Sequence, residues 1–326
     1  MRFGVLLNMS ANLGATPEDV FDLTLTQAEL AEQLGYDELW VTEHHFIRFG
    51  LNPSALTTAG FLLGRTRTIR VGTSVVLSPL AHPVDLAERA ALLDQLSGGR
   101  FELGLGRGGY LRDYQRLDID VARWDDEPHA TVDRLLDLWS AQTPGDVQPA
   151  PRTRPHPPLL LATGSEPGIK CAATNGLALQ HYFATPVAAR VALEQRYRAA
   201  GGVNQPDHLH TVIAIVDDST DARDRLRNAL VQSFRDGDHP HVPQAPNRHL
   251  GPDGTPAGPE AMAEMVAESA IIGSVGCVVD ELGDFILETG AHRIAVYHEA
   301  IGDPARTVES LRCFAEYVIP QLTPDG

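Results

Sequence analysis

Glu43-His44-His45-Phe46 stands directly after a short apolar run, Leu39-Trp40-Val41, inside a strand expected over residues 37–42. A carboxylate beside two imidazoles can move a proton near neutral pH and can hold an imidazole in one tautomer. Paired histidines also occur as solvated surface residues or as metal ligands. Adjacent residues at a strand end point in opposite directions, however, so His44 and His45 do not form the helix-spaced pair that grips one ion.

Gly104-Leu105-Gly106-Arg107-Gly108-Gly109 follows another expected strand, 101–106, and satisfies the GxGxxG spacing of dinucleotide-binding turns. Such a turn must open a helix at once, and Tyr110-Leu111-Arg112-Asp113-Tyr114 shows no apolar periodicity. The segment better suits a backbone that lets a flat cofactor lie close, with Arg107 offering a planar fork of donors to a phosphate; an ordinary surface arginine is the plainer alternative. Ala162-Thr163-Gly164-Ser165, with Gly168 behind it, ends a further strand where a helix begins. Free backbone N–H groups there could hold an anion without a lysine, or the segment is a glycine-rich turn with a serine cap. His82 before Pro83 reads as a loop-orienting residue. His208 and His210 alternate along one strand with no third ligand at metal spacing, so no metal is expected. Cys171, Cys277 and Cys313 are too scattered for a disulfide framework or a thiolate metal site and read as inert buried thiols.

These residues fall at the ends of regularly spaced elements. Strand-like runs near 3–8, 37–42, 69–76, 101–106, 158–163, 177–183, 209–216 and 292–298 alternate with helical patterns, the sequence form of repeated βα units around a parallel sheet. Helices are expected at 17–34, 53–63, 83–96, 127–140, 186–199, 220–234 and 304–317, the first with Thr16 as N-cap and Pro17 in its first turn. Near-continuous apolar strands such as Leu159-Leu160-Leu161 imply a sheet covered on both faces. Eight strands make a (β/α)8 TIM barrel the expected fold, in one domain spanning 1–326; an open doubly wound sheet also fits the alternation but lacks two nucleotide-binding halves. Residues 143–158, rich in Pro and Arg, read as an exposed connector or short hairpin. Residues 236–259 hold six prolines and are too long for an ordinary βα connection, which makes them a mobile lid or a solvated linker.

Composition narrows the classes. The 326 residues are 43% apolar, ample for a full core, and 26 basic against 43 acidic residues give a net charge of −17. That balance disfavours nucleic acid and anionic membrane as partners. No apolar run is long enough to span a bilayer, and Met1–Leu7 is cut short of a signal-peptide core by Asn8, Ser10 and Asn12, so a cytoplasmic enzyme is expected.

Taken in order, Asn8, Glu43-His44-His45-Phe46, Phe49-Gly50-Leu51, Val71-Gly72-Thr73-Ser74, Ala81-His82-Pro83-Val84, Leu93-Asp94-Gln95-Leu96-Ser97, Gly98-Gly99-Arg100-Phe101, Leu103 to Gly108 and Ile272-Gly273-Ser274 resemble the bacterial luciferase-like flavin monooxygenases. The likeness is dense over residues 1–116, thinner over 158–182 and 270–322, and absent over 235–260. It implies a two-component enzyme that takes FMNH2 from a separate NAD(P)H:flavin reductase and uses O2, through a C4a-hydroperoxyflavin, to oxidise a small organic substrate. By the same resemblance His44 is the acid/base group, with Glu43 and His45 orienting it or lining the pocket. Arg107, Gly164 and Ser165 would contact the flavin phosphate, Gly106 would lie beside the ring, and a non-prolyl cis peptide is implied at Ser74-Val75. The 236–259 segment corresponds to a mobile region near the family's active site.

One departure is Gly106, where the luciferases carry a cysteine; it puts light emission and a long-chain aldehyde substrate in doubt. Phe46, Phe49, Leu51 and Tyr110 are expected to wall an apolar or aromatic substrate. A deazaflavin (F420) dependent oxidoreductase and a non-catalytic flavin-binding subunit are the competing readings. Helices after the second and third strands, bearing Leu56, Phe61, Leu62, Leu86 and Leu92, are apolar on more than one face, and the family dimerises there, so a homodimer is expected.

Overall fold

The computed structural model describes residues 1–11, 14–125, 128–140, 147–204, 206–242 and 257–323. Its strands are β1 (Arg2–Leu7), β2 (Glu38–Val41), β3 (Arg70–Thr73), β4 (Val76–Leu77), β5 (Phe101–Gly106), β6 (Leu159–Leu161), β7 (Ala178–His181), β8 (Leu209–Val212), β9 (Ala214–Val216), β10 (Ile271–Gly273) and β11 (Arg293–Val296). All pairings among them are parallel. They run β3-β2-β1-β11-β8-β7-β6-β5-β4, and β3 pairs again with β5, which closes the ring. With β4 continuing β3, the ring has eight staves: a TIM barrel, as the alternation predicts.

The chain alternates strand and helix around this ring: α1 (Pro17–Gln33), α2 (Ala55–Arg65), α3 (Pro83–Ser97), α4 (Leu111–Arg116), α5 (Pro128–Trp139), α6 (Glu166–Thr174), α7 (Val187–Ala199), α8 (Ala222–Asp236), α9 (Pro259–Ser269), α10 (Val275–Thr289), α11 (Pro304–Cys313) and α12 (Ile319–Leu322). Residue parity separates two apolar layers. Phe3, Val5, Leu7, Leu39, Val41, Leu103 and Leu105 pack outward with the helices, while Leu6, Trp40, Leu160, Leu209 and Ala295 pack together inside the ring.

The amino end of the ring is plugged by charge. Arg293 (β11) donates through Nε to Glu38 (β2) at 2.8 Å and through Nη2 to Glu102 (β5), with Arg70 (β3) on Glu102 and Arg2 (β1) on Glu38 at 2.7 Å. The Trp40 indole donates to Glu38 at 2.9 Å, and the Arg293 guanidinium lies 4.8 Å from its ring centre. Buried charges persist only when paired and hydrogen-bonded in this way. The plug leaves the carboxyl end as the open one.

Three expectations need correction. The strand expected over 209–216 is two: β8 stays in the ring, and β9 leaves it to pair with β10. The helices α4, α9, α10 and α12 have no counterpart in the sequence reading, whereas α6 begins after Ser165 as expected, and the helix expected over 304–317 passes from α11 into a π turn at Phe314–Val318. The described part of the connector, 147–158, contains no hairpin; Thr153 pins it to α3 by donating its N–H and hydroxyl to Asp94, each at 2.7 Å. Of the lid segment, Asp236 ends α8 and Pro259 opens α9, residues 237–242 are described below, and 243–256 lie outside the described residues.

Candidate active site

The carboxyl ends of β1, β2, β3 and β5 bring the sequence-predicted residues together. Glu43, just past β2, is buried, and its two oxygens take different backbone N–H groups: Oε2 that of Ala55, the first residue of α2, at 2.9 Å, and Oε1 that of Leu77 in β4 at 3.1 Å. One carboxylate thus ties three segments of the rim. His45 Nε2 lies 3.8 Å from Glu43 Oε1, too far for a hydrogen bond but close enough for charge to be felt. His44 points the other way, its ring 5.4 Å from that of Phe49, and its N–H donates to the Asn52 carbonyl at 2.9 Å. Gly50 makes this possible, because a Cβ there would stand 2.4 Å from His44 Cδ2. Burial, helped by the neighbouring His45, pushes the His44 imidazole down to about 4, so it is neutral at physiological pH.

The Ser74-Val75 peptide is cis, and Ser74 N–H donates to Val41 O at 2.7 Å. Val75 stands half-buried beside Gly106, where a Cβ would collide with Val75 Cγ2 at 2.5 Å. No side chain fits at 106 unless Val75 moves. Gly104 faces the ring interior, where a Cβ would meet the Thr73 carbonyl and the Gln180 amide, so packing accounts for the first glycine of GxGxxG without a dinucleotide. The Arg107 guanidinium carbon lies 3.8 Å from the Trp124 ring centre, which holds the fork in one plane. Ser165 caps α6, accepting from Gly168 N–H at 3.2 Å, and Gly164 beside it has open space where a side chain would be.

The mouth is walled by aromatic rings. Phe49 packs between His44 and Phe234 and donates its N–H to Asp236. A cavity of about 360 Å³ bordered by Arg48, Phe49, Ser233 and Asp236 opens beside it. Phe46 is exposed at 42%, has φ +59°, and carries the Arg116 guanidinium 5.0 Å from its ring centre; Leu51 is half-buried and donates to Met9 O at 2.9 Å. Tyr110 forms an antiparallel bridge with His241, their rings 4.8 Å apart. With Leu111 N–H donating to Pro240 O at 2.9 Å and Val242 N–H to Gly109 O at 2.8 Å, the segment 237–242 is strapped to the β5–α4 turn.

Sequence reasoning missed three groups here. Asp113 on α4 is buried with Oδ1 unpartnered, and burial pushes its carboxyl up to about 6, against the pull of His45 and Arg112. Its only sequence signal is a carboxylate three residues beyond Tyr110 on an undistinguished segment. Glu299, past β11, is buried and pushed up to about 7; it accepts from Asn8 N–H at 2.9 Å, Ser10 N–H at 3.3 Å and Gln27 Nε2 at 3.1 Å, shaping the end of β1. Tyr182, past β7, is 44% exposed among the rings of this end of the barrel.

Outside the mouth, His82 caps α3 through Nδ1, accepting from Val84 N–H at 3.3 Å, a structural role. His208 and His210 share the outer face of β8. His210 stacks on His181 at 4.5 Å, and His208 Nε2 meets Glu194 at 2.9 Å. Among the described residues, no group of three or more His, Cys, Asp or Glu side chains could hold a metal ion. Of the cysteines only Cys171 is buried, its thiol pushed up to about 11 by burial and Asp133; Cys277 and Cys313 are half-exposed, which corrects the expectation of three buried thiols.

A closed parallel barrel with ionisable groups gathered at its carboxyl rim defines a barrel enzyme. A family model described as luciferase-like monooxygenase matches residues 1–293, and the chain belongs to that family. It is 29% identical to the 4-hydroxyprotoasukamycin monooxygenase of Streptomyces nodosus subsp. asukaensis, over 99% of this chain and 92% of that protein. With the alkanal monooxygenase alpha chain of Photorhabdus luminescens it shares 36% identity over 121 residues, 37% of this chain; the match spans 33% of that relative's length. Among solved structures, a monooxygenase from Streptomyces bottropensis superposes with a TM-score of 0.80 at 22% identity, covering 98% of this chain and 99% of that one. The oxygenating constituent of 3,6-diketocamphane monooxygenase from Pseudomonas putida, in complex with FMN, gives 0.75 at 17% identity over 98% of each chain. An F420-dependent secondary alcohol dehydrogenase gives 0.71 at 18%, again over 98% of each. These structural likenesses show the fold. No helix among the described residues is long and apolar enough to cross a membrane.

Proposed function

We propose that this chain is the oxygenase of a two-component FMN-dependent monooxygenase. It receives FMNH2 from a separate NAD(P)H:flavin reductase and oxidises a small apolar or aromatic substrate with O2. The observation that carries the reading is the arrangement of the rim: Glu43, His44 and His45 at the end of β2 stand across from the Ser74-Val75 peptide and the side-chain-free Gly106. The fit to a flavin is good on chemical grounds. Val75 and Gly106 offer an apolar seat for a flat ring, Arg107 a planar donor fork for its phosphate, and Gly164, with open space beside the Ser165-capped start of α6, room for that phosphate to approach the helix end.

Bound reduced flavin would supply the two electrons with which O2 is split, one oxygen atom passing to the substrate and the other leaving as water. The protein's own groups do the rest. His44, neutral and held by its Asn52 and Phe49 contacts, accepts or returns one proton in the mouth. Glu43 fixes the rim on which His44 and His45 stand by accepting the Ala55 and Leu77 N–H groups. Phe46, Phe49, Leu51 and Tyr110 wall the substrate and keep water out.

A second reading is hydride transfer with F420. The barrel of an F420-dependent dehydrogenase superposes about as well as that of the FMN-bound oxygenase, 0.71 against 0.75. Anaerobic titration of the purified protein with FMN, FMNH2 and F420, followed by admission of O2 with a reductase and NADH, separates the two. Tightest binding of FMNH2 with O2-dependent product supports the oxygenase; tightest binding of F420 with no O2 dependence replaces it.

A further inference from the structure

Phe49 stands between the imidazole of His44 and helix α8, and its backbone is tied on both sides. The carbonyl accepts from Asn8 Nδ2 at 2.7 Å and from Ser10 Oγ at 3.0 Å. The N–H donates to the carboxylate of Asp236, the last residue of α8 and 187 positions away in sequence. The ring then lies 5.4 Å from that of His44 and 6.1 Å from that of Phe234, two residues before Asp236. One end of one helix therefore holds Phe49 twice, by its backbone and by its ring.

The helix itself gains nothing from an acid in this place. Its carboxyl end carries the negative end of the dipole, where a carboxylate is disfavoured. What Asp236 makes there is a charge-assisted bond to a backbone N–H of a buried residue, a donor that is costly to leave unmatched. Phe49 and Asp236 also border the cavity of about 360 Å³, so packing does not hold Phe49 on that side. Gly50, the next residue, leaves the space that the His44 ring fills. A shift of residues 49 and 50 would carry straight to His44.

We propose that Asp236 is a positioning residue for His44: from the end of α8 it fixes the Phe49 peptide, and the Phe49 ring in turn keeps the imidazole buried in one place at the mouth. The inference bears on turnover only through the reading of His44 as the group that moves a proton there. The competing account is that Asp236 acts on His44 by charge, and the two differ in sign. A carboxylate acting by charge favours the imidazolium, so its removal would make His44 harder to protonate. A carboxylate that holds Phe49 keeps water out, so its removal would make His44 easier to protonate.

The test is NMR titration of the full-length protein with isotope-labelled imidazoles, the His44 signal being identified by its loss in His44→Gln. Burial and His45 push the wild-type imidazole down to about 4. Asp236→Ala is expected to raise its titration by about one pH unit or more towards the ordinary value near 6.5. Asp236→Asn keeps an oxygen that can accept the Phe49 N–H and is expected to stay close to wild type. In Phe49→Ala the ring is already gone, so adding Asp236→Ala is expected to change nothing more. His298, buried between Tyr36 and Phe314, reports in the same spectra that the barrel is intact. Hydrogen exchange of the Phe49 amide in wild type is expected to be slow. A His44 titration unmoved or lowered in Asp236→Ala, the same shift in Asp236→Asn, a full shift persisting in the Phe49→Ala background, or a Phe49 amide that exchanges as freely as an exposed one overturns the proposal. The exchange measurement uses wild type alone, so a folding defect in a variant leaves the proposal exposed. None of these readings uses flavin or O2, so the positioning can fail while the oxygenase reading stands, and tightest binding of F420 would end that reading without touching the positioning.

Discussion

His44 shows how much chemistry depends on space granted by a neighbour. Its ring occupies the volume that any side chain at position 50 would need, and it stays neutral because burial and His45 both oppose its charge. Replacing His44 by Ala is expected to leave flavin affinity nearly unchanged and to slow product formation about a hundredfold, the usual loss for a positioned acid/base group. Parallel flavin titration and steady-state assay check it, and unchanged turnover removes His44 from the mechanism. Gly50→Ala displaces the same ring without deleting it, so turnover is expected to fall by roughly the same factor while flavin binding holds. A variant as active as wild type would show that the imidazole position is not critical.

At the scale of elements, Glu43 binds the rim together. It receives one backbone N–H from the start of α2 and one from β4, two segments separated by 22 residues of sequence from Ala55 to Leu77. Glu43→Gln keeps the shape but sets an amide NH2 against one of those N–H groups, so one buried donor is left without an acceptor. The expected cost is about 1.5–3 kcal/mol of stability, read as a lower midpoint in urea unfolding with an unchanged slope. An unshifted midpoint would mean that water replaces the carboxylate at no penalty. The strap at 237–242 is a second such device: backbone bonds to Gly109 and Leu111 fasten it beside Tyr110, which places the start of the long excursion over the mouth.

Two features belong to the whole molecule. Several imidazoles are buried in neutral form: burial holds His210 near 2, His298 near 3 and His181 well below its ordinary value. In the unfolded chain they titrate near 6.5, so below that pH the unfolded state binds protons that the folded state refuses, and stability falls as pH drops. Asp113 and Glu299, raised to about 6 and about 7, act in the opposite sense between the ordinary carboxyl range and pH 7. The imidazoles are more numerous and further displaced, so their effect wins, and urea midpoints are expected to decline steadily from pH 6.5 to pH 4.5; a rising midpoint over that range would contradict the assignment. The second feature is the α2–α3 surface, where Phe61 is 56% and Leu96 76% exposed while Leu56, Leu62 and Leu86 are buried inward. We propose that this face pairs two copies of the chain. Phe61→Lys with Leu96→Glu is expected to convert a dimer to a monomer in sedimentation at micromolar concentration, whereas a monomeric wild type would end the proposal.

The sequence by itself determined the alternation of strands and helices, the rim motif Glu43-His44-His45 and the glycines beside it, because those features rest on local periodicity and on residue types at strand ends. Six of the eight expected strands lie in the ring close to their expected bounds; the third is interrupted at Ser74-Val75, and the seventh splits. Nothing local marks that split. Val212 to Val216 is one apolar run, and only β10, some 55 residues further on, decides that its second half leaves the barrel. The same holds for Asp113 and Glu299. Each is a common charged residue on an unremarkable segment, and its burial, its partners or its lack of them come from chains of contact across the barrel mouth that no spacing along the sequence encodes.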